Sequence, residues 1–311
     1  PARQNIRIIP LRLDGEPWFL QYSPYVYYDR HCIVIDDHHE PMTISPRILR
    51  KLIAFVDQFP HFFIGSNSDL PIVGGSILNH EHFQGGAHRM PLMYAKTRSK
   101  VPVKRLFDVH VDILEWYNSA VLIRSRNRKN LLVALDKLIK QWRVYTNESL
   151  DIMPSTGDIQ HSTVTPIVEK KNGVYHAYII LRNNRTSEAH PDGIFHAHKI
   201  YHPIKKEGIG LIEAMGLFIL PARLKRQIAS INTCLIEKLD EDAIRKDYPD
   251  LVEFFPMIRS LKLAGEKSDY EEDIKQYINE TCKHILENVA VFKNDAQGQT
   301  AFMNFMRSVD L

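Results

Sequence analysis

D-L-P-I-V-G-G-S-I-L-N-H-E-H-F-Q-G-G, residues 69–86, sets two histidines and a glutamine two residues apart between glycine pairs. Read as a strand from Ser76 to Gln84, its side chains alternate, so Ser76, Leu78, His80, His82 and Gln84 share one face and Ile77, Asn79, Glu81 and Phe83 the other. The polar chemistry then lies on a single surface. Gly74 and Gly75 ahead of it, with Gly85 and Gly86 behind, leave backbone N–H groups approachable by an anionic ligand. A chain with fifteen histidines produces some H-x-H spacings by chance, but the in-phase glutamine and the flanking glycines set this one apart. His80-Glu81 also begins the zinc-protease pattern H-E-x-x-H, which requires histidine where Gln84 stands, and the glycines disfavour the helix that pattern needs.

Together with F-F-I-G-S-N-S-D (residues 62–69) and I-K-K-E-G-I-G-L-I-E-A-M-G (residues 204–216), this stretch resembles the second class of galactose-1-phosphate uridylyltransferases, and the likeness runs through most of the chain. Those enzymes are similar to histidine-triad proteins, whose H-x-H-x-H places a nucleophilic imidazole at the middle position; the transferases carry glutamine at the third. The resemblance implies exchange of UMP between UDP-glucose and galactose 1-phosphate by two displacements at phosphorus, the reaction of the Leloir pathway of galactose metabolism. It assigns the nucleophile to His82 through a uridylyl-imidazole intermediate. An imidazole with an ordinary pKa of about 6.5 is substantially neutral near pH 7 and is a good leaving group from phosphorus. Its second nitrogen must be held by a hydrogen bond, often to a backbone carbonyl. Gln84 offers an amide N–H to a phosphoryl oxygen and cannot serve as acid or base, which favours transfer over hydrolysis.

The same resemblance brings Asn67, Ser76 and Gly75 to the phosphates, Lys205 or Lys206 to a substrate phosphate and Glu213 to hexose hydroxyls. Carboxylates suit hydroxyls because they only accept. His80 is open between metal ligand, phosphate partner and neighbour of the nucleophile. In the other class of these transferases the equivalent histidine binds zinc with a C-x-x-C pair, but Cys32, Cys234 and Cys282 are isolated here. Scattered cysteines suit a reducing compartment.

Ile159–Val168 and Val174–Arg182 alternate and are joined through Asn172-Gly173, the strongest short hairpin signal. That turn puts Thr163 opposite Arg182, with His161, Thr163, Arg182 and Asn184 on one polar face, and Arg182 is a candidate substrate contact. A structural zinc or iron held by some of His161, His196 and His198 is the metal option, by likeness to an H-x-H in the first-class enzymes; the chemistry requires no cofactor.

Charges nearly balance, with 40 Lys and Arg against 37 Asp and Glu, which argues for no nucleic-acid partner. No apolar run reaches the ~18 residues of a membrane span, and cytoplasm is the default location. The partners implied are a UDP-hexose and a hexose 1-phosphate, with a homodimer open. The fold class expected is α+β: two histidine-triad-like units, each a mainly antiparallel sheet with packed helices, spanning residues 1–105 and 106–311, the second with a helical C-terminal part. Strands are read at Trp18–Tyr22, His31–Asp36, Phe62–Gly65 and Ser76–Gln84. A helix starts after Ser45 with Pro46 at its first position and buries Ile48, Leu49, Leu52, Ile53, Val56 and Phe59. Pro91–Pro102 is read as a connector, Leu122–Lys129 as a helix start or basic patch, Asn130–Tyr145 as helix, Leu211–Leu220 as strand or helix start, and Pro221–Leu239 and much of Asp242–Val291 as helix. Phe19, Gln21 and Tyr22 lie where histidine-triad proteins line their nucleotide site. The chain opens Pro1-Ala2-Arg3-Gln4 without methionine, and the resembled enzymes carry a substantial region ahead of the matched part, so that region is expected to be missing. Two alternatives stand beside the transferase: a nucleotidyl hydrolase or phosphorylase of the same superfamily, and a non-catalytic UDP- or metal-binding module.

Overall fold

The computed structural model describes residues 6–75 and 77–311, so Ser76 lies outside the described residues. The chain runs β1 (Ile8–Leu13), β2 (Glu16–Tyr22), β3 (Cys32–Asp36), α1 (Pro46–Gln58), β4 (Phe63–Gly65) and β5 (His82–Gly86). A second series follows: β6 (Thr97–Val101), β7 (His110–Leu114), β8 (Ala120–Ser125), α2 (Arg128–Trp142), the short pair β9 (Ser155–Thr156) and β10 (Ile159–Gln160), then β11 (Ser162–Lys171) and β12 (Val174–Asn183). Helices complete it: α3 (Leu211–Ala214), α4 (Arg223–Ile236), α5 (Glu241–Asp247), α6 (Phe255–Leu263), α7 (Glu271–Val289) and α8 (Ala296–Ser308).

Ten of these strands form one antiparallel sheet in the order β1-β2-β3-β5-β4-β11-β12-β8-β7-β6. The two halves read alike outward from the β4–β11 seam. Each is a three-strand meander, a helix, then two strands of which the second inserts beside the meander. The fold is therefore α+β with two units of related topology, and their strands share one continuous sheet. β6, which precedes residue 105, pairs with β7 in the second half.

Local chemistry explains the elements that carry the site. α1 begins at Pro46 after Ser45 in extended conformation, and it buries Ile48, Leu49, Leu52, Ile53 and Val56. Asn127 caps α2 by accepting from Lys129 N and Asn130 N. Between β11 and β12, Asn172 and Gly173 take φ of 51° and 74°, the left-handed pair of a type I′ turn. The register that follows is as read from the sequence, with Thr163 opposite Arg182. One face of the sheet packs on α1, α2 and α8 through Trp18, Phe55, Leu135, Trp142 and Phe305. The other packs on α3 and α7 through Tyr178, Ile180, Leu211 and Ile285, and the remaining helices make their own apolar cluster with α7.

Several boundaries differ from expectation. The strand expected over 76–84 starts only at His82. Ahead of it Gly74 bridges Ser68, Leu78 O accepts from Met42 N and Glu81 N donates to Glu40 O, so the backbone is spent on neighbouring loops rather than a ladder. Gly74 is needed there, since a Cβ would lie 2.5 Å from both Ser68 O and Leu70 O. Residues 91–102 contain β6, and 122–129 contain the end of β8 before the α2 cap. The first hairpin arm breaks at residue 161, dividing β10 from β11, and residues 211–220 supply only the single turn α3. Among the described residues no helix is long and apolar enough to cross a membrane.

Candidate active site

β2, β3 and β5 present Gln21, Ile33, Ile35, His82 and Gln84 to a cleft of about 860 Å³. The loop ahead of β5 adds Asn67, Gly74, Gly75 and His80, and the second half of the chain closes the far wall with His196, Lys205, Lys206, Gly210 and Glu213. Residues far apart in sequence thus face one another because β5 inserts between β3 and β4, while the segment after β12 returns across it.

His82 is the first residue of β5, paired with Ile35. Its Nδ1 lies 2.9 Å from His80 O. A carbonyl only accepts, so Nδ1 carries the proton and Nε2 keeps its lone pair. Burial lowers the His82 pKa, which the bond to His80 O opposes only in part, and the ring is neutral at neutral pH. His80 does not continue a strand face. Its Nε2 donates to Asp36 O at 3.0 Å, which fixes the ring next to His82.

Two carboxamides are oriented by their oxygens. Asn67 is buried, and its Oδ1 accepts from Leu211 N at 2.8 Å at the start of α3. Its Nδ2 then faces Gly75, where a Cβ would stand 2.6 Å away. Gln84 Oε1 lies 3.3 Å from His31 Nε2. Each amide therefore has its acceptor occupied and its N–H2 left for a ligand. His31 was legible only as part of a strand; its place beside Gln84 follows from the β3–β5 register, in which Ile33 pairs with Gln84.

On the far wall Lys205 is buried and donates to Glu213 Oε1 at 3.1 Å and to Ile219 O at 2.9 Å. The two residues read as separate substrate contacts form one ion pair, which answers the desolvation of each. Lys206 is exposed at the rim. Arg182, expected to meet substrate, lies wholly buried behind the wall, where its Nη2 donates to Ile209 O at 2.8 Å. Burial lowers its pKa to about 10, with the Glu213 charge opposing.

The three histidines of the metal option do not come together. His161 Nδ1 meets Asn184 Oδ1 and its Nε2 meets Thr156 Oγ1, both at 2.9 Å. His198 Nε2 donates to Ile194 O and its ring stacks on His190, while His196 lines the cleft with neither ring nitrogen hydrogen-bonded. Burial, and next the Arg182 charge, push His196 down to about 4. Among the described residues the one group with three convergent metal-binding atoms is Asp36, Glu40 and Glu81. Arg47 bonds to all three and Lys51 stands close to Asp36 and Glu81, so two side-chain cations already answer part of its charge.

Residues 55–247 match the family model described as galactose-1-phosphate uridyl transferase, C-terminal domain. The chain is 43% identical over 307 residues to a galactose-1-phosphate uridylyltransferase of Bacillus subtilis, covering 98% of this chain and 60% of the relative. It is 41% identical over 315 residues to one of Fusobacterium nucleatum, with 99% and 62% covered. A Clostridium perfringens relative of the same name is 42% identical over 311 residues, with 100% and 62% covered. The chain thus spans about three-fifths of the length of these curated relatives.

Proposed function

The chain belongs to the galactose-1-phosphate uridylyltransferase family, and on that premise we propose that its cleft transfers UMP from UDP-glucose to galactose 1-phosphate through His82. The observation that carries this reading is the pinned His82 tautomer: Nδ1–H on His80 O, Nε2 unprotonated, in a cleft with two oriented amide donors. In the first displacement Nε2 attacks the α-phosphorus. The N–P bond forms as the P–O bond to glucose 1-phosphate breaks, and the leaving group departs as an anion that needs no proton. In the second, a phosphate oxygen of galactose 1-phosphate attacks the uridylyl-imidazole, releasing UDP-galactose and neutral His82.

Gln84 and Asn67 donate to the non-bridging oxygens, where charge builds in both transition states. Neither can activate water, which supports transfer over hydrolysis. Gly75 lets the phosphate approach the Asn67 amide. The Lys205–Glu213 pair leaves the second Glu213 oxygen for hexose hydroxyls, and Lys206 at the rim meets the incoming phosphate. We place the protein in the cytoplasm and keep a homodimer as part of the proposal, for which size-exclusion chromatography is the check.

Initial-rate kinetics test the mechanism. Varying UDP-glucose at several concentrations of galactose 1-phosphate should give parallel double-reciprocal lines, the ping-pong pattern of a covalent intermediate. Intersecting lines, or UMP released with no hexose 1-phosphate present, would remove the double-displacement scheme.

A further inference from the structure

We propose that His31 is a positioning residue: its Nε2–H holds the Gln84 carboxamide so that the amide N–H2 faces the phosphate. This deepens the reading of His82 and Gln84 as the transfer site and rests on it.

An unanchored glutamine amide turns almost freely about its last torsion, which has two nearly equivalent settings. One presents N–H2 to a phosphoryl oxygen and the other presents a repelling carbonyl. What sets the choice is whichever group meets the amide from behind, and here that is His31 Nε2 at 3.3 Å.

The His31 ring cannot swing aside. It is 3% exposed and lies between Tyr27, stacked at 5.4 Å, and Tyr28, tilted at 4.4 Å. Its backbone N donates to Tyr28 O and its carbonyl accepts from Ser23 N. Nδ1 is buried with no partner. Burial also lowers its pKa, the Gln84 contact opposing, so the ring carries one proton at neutral pH.

That proton has two places to go. On Nδ1 it would be a buried donor with no acceptor, while Nε2 took a bond from a flipped Gln84. On Nε2 it is donated to Gln84 Oε1, and only a lone pair is left unmatched on Nδ1. Orphaned buried N–H groups are rarer than under-used acceptors, so the second arrangement holds. The donor direction then runs from His31 through the Gln84 oxygen, and the amide N–H2 is turned into the cleft.

UDP is the probe, with its dissociation constant read by calorimetry, so turnover is not needed. His31→Phe keeps a flat ring between the two tyrosines and removes the donor. It should weaken UDP binding about tenfold, the scale of one hydrogen bond to a charged group. Gln84→Ala should weaken it by a similar factor, and the double variant should be no weaker than Gln84→Ala alone. His31→Gln, which restores an N–H donor, should recover most of the loss, a result that damage to folding would not give. Unchanged affinity in His31→Phe, or losses that multiply in the double variant, would overturn the proposal. The adduct formed from UDP-glucose is measured in parallel. If UDP binds with the expected non-additivity but no adduct forms, the transferase reading falls and the positioning role stands. Adduct formation at an unaltered rate in His31→Phe would overturn the positioning role while leaving the transferase intact.

Discussion

His196 should make the chain lose stability as the pH falls from 6.5 to 4. Its ring is 5% exposed, neither nitrogen finds a partner, and Arg182, His198 and His202 bring like charge while Asp192 opposes. The folded-state pKa near 4 lies below the ordinary 6.5, so in that window the unfolded chain binds the proton and the folded chain does not. Stability from this group is therefore complete above 6.5 and is lost as the pH falls toward 4. A shift from 6.5 to about 4 corresponds to roughly 3 kcal/mol in full and about 2 kcal/mol by pH 5.

The raw pH dependence mixes signs. Glu81, buried beside Asp36 and only partly answered by Lys51 and Arg47, is pushed up to about 7. Its ionisation is unfavourable in the fold, so acid relieves it while acid penalises His196. Comparing the chain with His196→Phe, which keeps a ring and cannot titrate, isolates the histidine. Urea unfolding followed by tryptophan fluorescence at pH 7.5 and pH 5 should show the unmodified chain losing about 2 kcal/mol more than the variant. Equal losses in the two proteins would refute the reasoning and mean that His196 is hydrated or paired in solution.

Gly75→Ala brings a Cβ to 2.6 Å from Asn67 Nδ2, and kcat/KM should fall about tenfold with little change in Tm, since a displaced donor rather than a cavity is the fault. Trp142→Phe removes an Nε1–H shared by Thr163 O and Arg182 O at 2.8 and 3.1 Å; denaturant titration should show a loss of about 2 kcal/mol. Asn127→Ala removes the cap of α2 and should lower stability by about 1 kcal/mol. Because burial lowers the His82 pKa, the acid limb of the kcat/KM profile should fall below the ordinary imidazole value near 6.5.

What could be read in advance was local. Pro46 after Ser45 and the spacing from Ile48 to Val56 define α1 without reference to anything else in the chain. Asn172-Gly173 sets a two-residue turn, and the Thr163–Arg182 register follows because antiparallel pairing counts outward from it. The strand expected from Ser76 failed for a non-local reason: Gly74, Leu78 and Glu81 bond to Ser68, Met42 and Glu40, partners that alternation does not reveal. β6, with Thr97, Arg98 and Lys100 exposed, lacks the apolar rhythm of a buried strand. His31 beside Gln84, Asn67 against Leu211 and the Lys205–Glu213 pair all depend on which strands and loops become neighbours. The residue types were visible at those positions; the direction in which each hydrogen bond runs was not.

The transfer of UMP through His82 is tested most directly by intact mass spectrometry of the chain mixed with UDP-glucose and then chased with galactose 1-phosphate. A single uridylyl-sized adduct should appear, be absent from His82→Ala, and disappear in the chase as UDP-galactose forms. An adduct that persists in His82→Ala, or free UMP accumulating before any hexose 1-phosphate is added, would contradict the account.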